Sequence, residues 1–264
     1  MIDIQNIQDK RGINIQKVGI KNLDIPLIIQ RKDEENQVVN AIATACVSLP
    51  AEYKGTHMSR FVEVLNEWKS KNLLGVDIKG CVSAFVEKLH AKSGYLKFEF
   101  KYFLDKTSPV TNIVSTMCYN CSFEGYLDNY GEENEEYKFI LGVKVPVTTL
   151  CPCSKEISDS GAHNQRAVVS VKVSYDNDEH IWLEDLIDMV EKKASCELFP
   201  LLKREDEKYV TEKAYNNPKF VEDVLRDVVL NLRENEIVNS FEVECESMES
   251  IHNHSAWAYQ AEEK

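Results

Sequence analysis

The 264-residue sequence lacks three features that would each have indicated a large class of proteins. It has no apolar run long enough to cross a membrane, so a membrane protein is not expected. It has neither a G-x-x-x-x-G-K-[ST] nor a G-x-G-x-x-G motif, so a standard nucleotide-binding fold is not supported. Its first residues contain no apolar segment flanked by basic residues, which argues against a secretory signal and predicts a cytoplasmic location.

Positive charge is also scarce in this chain. The 31 Lys and Arg residues are outnumbered by 44 Asp and Glu residues, which gives a formal net charge of −13. A nucleic-acid-binding protein would carry a basic face, so nucleic acid is not an expected partner. An anionic small molecule is still an acceptable ligand, because a pocket needs only a few local cations.

Apolar periodicity predicts the same order of elements in each half of the chain. Both halves read β-β-α-α-β-β, which predicts an α+β fold of two tandem units, each an antiparallel sheet with a helix pair on one face. We expect an N-terminal arm at 1–17, a first unit at 18–130 and a second unit at 131–264. The expected strands are 18–29, 39–49, 96–103, 113–127, 137–147, 167–175, 241–245 and 256–261, and the expected helices are 59–71, 78–92, 182–196 and 218–232.

Two of the eight cysteines, Cys151 and Cys153, lie in a setting that does not suit buried apolar side chains. They enclose Pro152, follow a strand rich in Val and Leu, and precede a polar loop. In an extended segment both thiols would point to the same side. An accessible thiolate is either a nucleophile or a soft metal ligand, so this pair is a candidate for chemistry. A chance pair near a turn is the alternative.

A histidine and several carboxylates could complete a metal site around these thiols. His163 lies in the polar loop that follows, and Cys with His is a ligand combination typical of zinc or a similar divalent ion. A catalytic site needs three protein ligands and one open position. Candidates for the third ligand are the carboxylates of Glu205, Asp206 and Glu207.

Two further groups of polar residues could contact a substrate. His252 and His254 are two positions apart, so on an extended segment they face the same side and could bind metal or transfer protons. An ordinary polar strand edge is the alternative. A second group precedes a predicted helix, where donors and the helix N-terminus could hold phosphate. Its members are Gly55, Thr56, His57, Ser59 and Arg60.

Four long segments closely resemble the signatures of type IB GTP cyclohydrolase I, a prokaryotic enzyme of folate synthesis. They are LPAEYKGTHMSRF at 49–61, CPCSKEISDSGAHNQR at 151–166, LLKREDEKYVTEKAYNNPKFVEDVLRD at 201–227 and ESIHNHSAWAY at 249–259. The resemblance runs from about Val18 to the C-terminus. It implies a tunnelling fold (T-fold), whose β-β-α-α-β-β unit matches the predicted order, and a homotetramer with active sites at subunit interfaces.

The reaction that the resemblance implies is the conversion of GTP and water into 7,8-dihydroneopterin triphosphate and formate. The product would enter folate or 7-deazaguanine synthesis. By the same resemblance, Cys151, His163 and Glu207 would hold a divalent metal, and Glu222 would bind the guanine edge. Most catalytic residues lie in the second unit. Those that would line the catalytic pocket are Cys153, Glu249, His252 and His254, with Cys151 beside them.

The chemistry of this reaction fits these residue types. A divalent ion lowers the pKa of bound water and so supplies a nucleophile for C8 of guanine. Mixed sulfur, nitrogen and oxygen ligands suit Zn²⁺, and Mn²⁺ or Fe²⁺ is tolerated when a carboxylate is present. The triphosphate needs several positive donors. Besides His57, the candidates are Arg60, Arg166, Arg204 and Lys208.

Two other classes are compatible with parts of this pattern. The nitrile reductase of queuosine synthesis has the same fold and uses a cysteine nucleophile with NADPH, and a lone reactive cysteine would suit it. The pair of cysteines with His163 and Glu207 suits metal-dependent hydrolysis better. A structural zinc site built from Cys151, Cys153, His163 and a carboxylate is the third interpretation, and removal of its metal would unfold the domain.

Overall fold

The computed structural model describes Gln5 and residues 7–264, and within these residues it contains ten strands and six helices. The expected N-terminal arm therefore lies partly outside the described residues. The strands are β1 (Ile15–Ile29), β2 (Gln37–Leu49), β3 (Asn72–Leu73), β4 (Gly94–Thr107), β5 (Val114–Asp128), β6 (Glu136–Leu150), β7 (Asn164–Ser174), β8 (Cys196–Glu197), β9 (Ser240–Ser247) and β10 (Ala256–Glu263). The helices are α1 (Met58–Trp68), α2 (Asp77–Leu89), α3 (Pro152–Ile157), α4 (Leu183–Glu191), α5 (Arg204–Asn216) and α6 (Val221–Glu234).

All ten strands belong to one mixed sheet. Its order is β10-β9-β7-β6-β5-β4-β2-β1-β3, and β8 pairs with β6 outside this path. The short β3 runs parallel to β1, whereas β1 with β2, β2 with β4, β7 with β9 and β9 with β10 are antiparallel. The expected tunnelling fold with two tandem β-β-α-α-β-β units, each with its own sheet, is therefore wrong as a description of this chain.

The repeat fails at four elements that apolar periodicity cannot reveal. Strands β3 and β8 have only two residues each. Helix α3 buries no residue, and α5 buries only Asp206 and Ala214, so neither has an apolar stripe that a sequence pattern could detect. These elements add to the predicted order in both halves of the chain.

The chain divides into two compact units, and the first comprises residues 1–101, 122–141 and 175–180. Helices α1 and α2 pack together there through Phe61 and Phe85, whose ring centroids are 5.5 Å apart. Helix α2 ends at His90, which has a φ of +53° in the left-handed region. The boundaries expected at residues 17 and 130 stay a prediction.

The second unit comprises residues 102–121, 142–174 and 181–264. Along β7 the valines 169, 171 and 173 are buried, as their alternation predicts, because successive strand residues face opposite sides. Helix α6 packs against β9 and β10 and has an apolar stripe at the i, i+3, i+4 and i+7 spacing. That stripe consists of Val221, Val224, Leu225 and Val228, all of them buried.

Asp206 fixes the beginning of α5 in this second unit. Its fully buried carboxylate accepts hydrogen bonds from the backbone N–H groups of Val110, Thr111 and Lys203, each over 2.9 Å, and from the Thr111 hydroxyl. Burial raises the pKa of Asp206, but these hydrogen bonds outweigh it and hold the pKa well below its usual value. The β4–β5 connection is thereby tied to the N-terminus of α5.

Among the described residues, no helix combines the length and the apolar character that a membrane crossing requires.

Candidate active site

Two of the predicted metal ligands lie at the two ends of one short connection. Cys151 follows β6 and is the N-cap of α3, and His163 directly precedes β7. The backbone N–H of Cys151 donates to the carbonyl of His163 over 3.1 Å, which closes the connection. Gly161 has a φ of +78°, a conformation that L side chains rarely adopt, and so allows the chain to turn back. Cys151 and His163 therefore lie next to each other.

Ser154 hydrogen-bonds to both ends of this connection. Its hydroxyl donates to the carbonyl of Cys151 over 3.1 Å and accepts the backbone N–H of His163 over 3.2 Å. Its own backbone N–H donates to the Sγ atom of Cys151 over 3.4 Å. The thiol of Cys151 is half-buried, and this one contact is with a weak acceptor, so the sulfur is available for a ligand.

The imidazole of His163 lies against an amide and a carboxylate. Its Nδ1 atom is 2.9 Å from Oε1 of Gln165 and 3.9 Å from Oε2 of Glu249. The His163 and Glu249 side chains are only 14% and 13% exposed. The backbone N–H of Met248 donates to the carbonyl of Arg166 over 2.9 Å, which extends the pairing of β7 with β9 and brings Glu249 beside His163.

Helix α6 begins next to the same end of β6. The backbone N–H of Lys219 donates to the carbonyl of Leu150 over 3.0 Å, so the residue before Cys151 is joined to the segment that leads into α6. Glu222, the residue predicted to bind guanine, is exposed in the first turn of that helix. Burial raises the pKa of the Cys245 thiol to about 12, and the negative charge of Glu222 adds to this shift. Glu222 is therefore close enough to β9 for its charge to act on Cys245.

The structure does not bring the third predicted ligand to the first two. Glu207 is exposed on α5, and among the described residues no three Cys, His, Asp or Glu side chains converge closely enough to hold a metal ion. The same face of α5, however, carries Val210 and Ala214, one and two turns further along. These two pack in a cluster with Leu150 and Ala162, the residues immediately before Cys151 and His163.

The predicted cationic residues of the second unit are exposed around this region. Arg166 follows Gln165 on β7, and Arg204 begins α5. Lys208 is also exposed on α5, where its Nζ atom pairs with Glu212 over 2.6 Å. Cys153 is exposed in the first turn of α3. Their side chains are accessible to a ligand.

His252 and His254 lie in the connection between β9 and β10, which also contains Glu249. Both are exposed, and their rings stack with centroids 5.1 Å apart and an angle of 18° between planes. The two rings therefore lie side by side, although the segment consists of bends and not of the extended strand that the spacing argument assumed.

His57 and Arg60 belong to the first unit, where they line a cavity of about 280 Å³ at the N-terminus of α1. One Nη atom of Arg60 donates to the carbonyl of Lys88 over 3.2 Å, which fixes the guanidinium beside the end of α2. His90 also lines this cavity.

Sequence reasoning also missed the neutral residues that support the site. Ser154, Gln165 and Thr149 carry no charge and are common in ordinary loops and strands, so their types give no functional signal. The spacing offered a partial clue, because Gln165 is two residues after His163 and strand residues two apart face the same side. Likewise Ser154 is three residues after Cys151, which is the spacing of an N-cap contact.

Comparison with known proteins identifies the family. Residues 1–258 match the model of the family described as type I GTP cyclohydrolase folE2. The chain is 50% identical to GTP cyclohydrolase FolE2 of Syntrophus aciditrophicus over 262 residues, which cover 98% of each chain. It is also 50% identical to GTP cyclohydrolase FolE2 of Thermosipho africanus over 258 residues, or 98% of this chain and 96% of the relative.

Similar solved structures show likeness of fold alone. Urate oxidase of Bacillus subtilis 168 superposes with a TM-score of 0.57 at 8% identity and covers 94% of this chain and 99% of that one. A urate oxidase of Bacillus sp. TB-90 superposes with a TM-score of 0.58, again at 8% identity, and covers 95% of this chain and 100% of that one. The architecture is thus that of the urate oxidases, at an identity too low to carry function.

The family model corrects one prediction and confirms another. The assignment to type IB GTP cyclohydrolase I is wrong, because the family model and the similar relatives bear the FolE2 description instead. The prediction of a GTP cyclohydrolase is confirmed, and it displaces the nitrile reductase and the structural zinc protein. The chain belongs to the FolE2 family of GTP cyclohydrolases.

Proposed function

We propose that the chain converts GTP and water into 7,8-dihydroneopterin triphosphate and formate, with a divalent metal held by Cys151, His163 and Glu207. The observation that carries this proposal is the connection between β6 and β7. There the backbones of Cys151 and His163 are joined by one hydrogen bond of 3.1 Å, and the carboxylate of Glu249 lies beside the imidazole of His163.

The donors of this region fit a divalent metal. The Cys151 sulfur has a weak N–H contact at 3.4 Å, and the contacts of the His163 ring with Gln165 and Glu249 are on Nδ1, so Nε2 is the atom that would bind. Glu207 is supported as the third ligand by its place on α5, whose neighbouring turn packs against Leu150 and Ala162. An exposed glutamate can change rotamer at small cost, so the ligands need not converge before metal binding.

A set of one sulfur, one nitrogen and one oxygen suits Zn²⁺, Mn²⁺ or Fe²⁺ and leaves a position open. When bound, such an ion supplies the Lewis acidity that activates water near neutral pH. Orientation of the purine and the proton transfers would be performed by side chains of the protein.

Glu222 would accept hydrogen bonds from the guanine N–H groups with both carboxylate oxygens, and so orient the purine. Ring opening and formate release require proton transfers near pH 7, typically worth about 10²–10⁴-fold in rate. His252 and His254 are suited to them because they are exposed, adjacent and on the same segment as Glu249. Cys153, exposed in the first turn of α3, would face the substrate.

Each unit by itself offers candidate cationic side chains for the triphosphate. Arg166, Arg204 and Lys208 are exposed in the second unit, and His57 and Arg60 line the cavity of the first. That cavity lies at the N-terminus of α1, where free backbone N–H groups attract anions.

We also propose a homotetramer with active sites at subunit interfaces. It is supported by β10, which ends the sheet and exposes Trp257 and Tyr259 on one face at 60% and 46%. A free strand edge with exposed aromatic residues is a surface that readily pairs with another chain. Sedimentation of the protein would give the mass of a tetramer, and a monomer would contradict this part of the proposal. The cytoplasmic location stays a prediction.

The test of the proposed activity is to incubate the metal-free protein with GTP and, in turn, Zn²⁺, Mn²⁺ or Fe²⁺. We expect formate and a fluorescent pterin in equal amounts, with the Glu222→Gln variant as a folded control that has lost the guanine contact. Absence of formate with every one of these metals would refute the proposal.

A further inference from the structure

A neutral amide next to His163 is placed to decide which ring nitrogen carries the proton. Gln165 is two residues after His163 on β7. Its Oε1 atom lies 2.9 Å from Nδ1 of His163, which is a normal hydrogen-bond distance. Its Nε2 atom donates to the hydroxyl of Thr149 on β6 over 3.2 Å. With the amide in this orientation, its oxygen can only accept, so Nδ1 of His163 must be the donor.

Thr149, the residue to which the Gln165 amide donates, is fixed in the protein interior. The Thr149 hydroxyl lies 3.1 Å from the hydroxyl of Ser247 on β9, and these two residues are 1% and 0% exposed. The amide of Gln165 is therefore attached to a rigid buried pair on two strands. It is a fixed partner for the imidazole, unlike a side chain that moves freely in solvent.

The carboxylate of Glu249 acts on the same nitrogen. Its Oε2 atom is 3.9 Å from Nδ1, too far for a direct hydrogen bond but close enough for its charge to favour a proton there. Two independent groups thus favour the neutral tautomer with hydrogen on Nδ1. In that tautomer the lone pair is on Nε2.

We propose that Gln165 is a positioning residue that holds His163 in the Nδ1–H tautomer and directs the Nε2 lone pair to the metal. This inference rests on the proposed metal-binding role of His163. A metal-binding histidine needs a neutral ring whose other nitrogen is fixed by a hydrogen bond, and loss of such a partner typically weakens metal binding about 10–100-fold.

The test uses the full-length protein in two states. In the metal-free state, nitrogen NMR of the histidine rings reports the tautomer of His163, whose signal is identified by its absence from His163→Gln. The spectra are taken at a pH at which the ring is neutral. We expect Nδ1–H in the natural protein, a mixture or the opposite tautomer in Gln165→Leu, and Nδ1–H again in Gln165→Glu, whose carboxylate can still accept.

In the second state, Zn²⁺ affinity is measured by competition with a chelator. We expect Gln165→Leu to bind about 10–100-fold more weakly and Gln165→Glu to stay within a few-fold of the natural protein. Gln260→Leu is a matched control, because Gln260 is also a half-buried glutamine on a strand of the second unit and hydrogen-bonds Glu262 instead. It should change neither the tautomer nor the affinity.

The result that would overturn the inference is an Nε2–H tautomer in the natural protein, or a Gln165→Leu variant with unchanged tautomer and affinity. If Gln165→Leu does not fold, Gln165→Glu decides, because loss of the Nδ1–H tautomer in that variant contradicts the proposed role. The failure of the proposed function is distinguishable from this. It would show as absence of metal binding and formate release in the natural protein, whereas the tautomer is measured without metal.

Discussion

Replacement of Cys151 by alanine separates the metal-binding role of this residue from its structural role. In the fold, its side chain makes one N-cap contact, from the Ser154 N–H to Sγ over 3.4 Å. Helix α3, which this contact caps, has six residues and buries none of them. The remaining hydrogen bonds of Cys151 come from its backbone and survive the substitution.

The expected cost in stability is small. Loss of an N-cap side chain typically costs about 0.5–2 kcal/mol, and a sulfur acceptor at this distance falls at the lower end, about 0.5 kcal/mol. For a protein of this size, that lowers Tm by roughly 1–2 °C. Metal binding, in contrast, loses one of three ligands. We therefore expect Cys151→Ala to stay folded, to retain no stoichiometric metal after dialysis and to release no formate from GTP.

Two other variants act as controls. Cys151→Ser keeps an N-cap acceptor, so its Tm should match that of the natural protein while its metal is still lost. Cys118→Ala removes a half-buried thiol on β5 and should keep both metal and activity. The measurements are thermal unfolding, bound metal per chain and formate release. Full metal content and activity in Cys151→Ala would show that Cys151 is not a ligand, and unfolding of that variant would indicate a structural site.

Three further outcomes follow from the described contacts. Asp206→Asn should lower Tm and speed amide hydrogen exchange at 108–113 and 203–206, because an amide cannot accept all four hydrogen bonds of the carboxylate. Unchanged exchange in these segments would contradict the tie between α5 and the β4–β5 connection. A thiol reagent should modify exposed Cys153 quickly, whereas burial raises the pKa of Cys196 and Cys245 to about 12, and those two should react only on unfolding. Glu222→Gln should leave Tm unchanged and lower kcat/KM for GTP roughly 10–100-fold, because a charge-assisted hydrogen bond is worth about 1.5–3 kcal/mol. An unchanged kcat/KM would exclude Glu222 from guanine binding.

The sequence predicted those parts of the fold in which apolar residues repeat with a clear period. The buried valines of β7 and the apolar stripe of α6 are of this kind. Helix α5 could not be found this way, because its conformation depends on the buried Asp206 and on residues about 95 positions earlier in the chain, Val110 and Thr111. Nor does periodicity in separate segments reveal that all the strands join one sheet.

The candidate site was predicted in part for a related reason. Cys151 and His163 are reactive residue types in a polar loop, so their chemistry is visible in the sequence, and the backbone pairing that joins them lies within thirteen residues. Gln165 and Ser154 are unremarkable by type, and their roles appear only once the distances to His163 and Cys151 are known. The reach of Glu207 toward these residues is still a proposal.

The most direct test of the central claim is X-ray absorption at the zinc edge of the zinc-loaded protein. We predict one sulfur ligand at about 2.3 Å, from Cys151, together with nitrogen and oxygen ligands at about 2.0–2.2 Å from His163, Glu207 and water. The sulfur ligand should stay in the spectrum of zinc-loaded Cys153→Ser, whereas Cys151→Ser should retain no zinc. Two sulfur ligands, or a spectrum with none, would contradict a metal site built on Cys151 and His163.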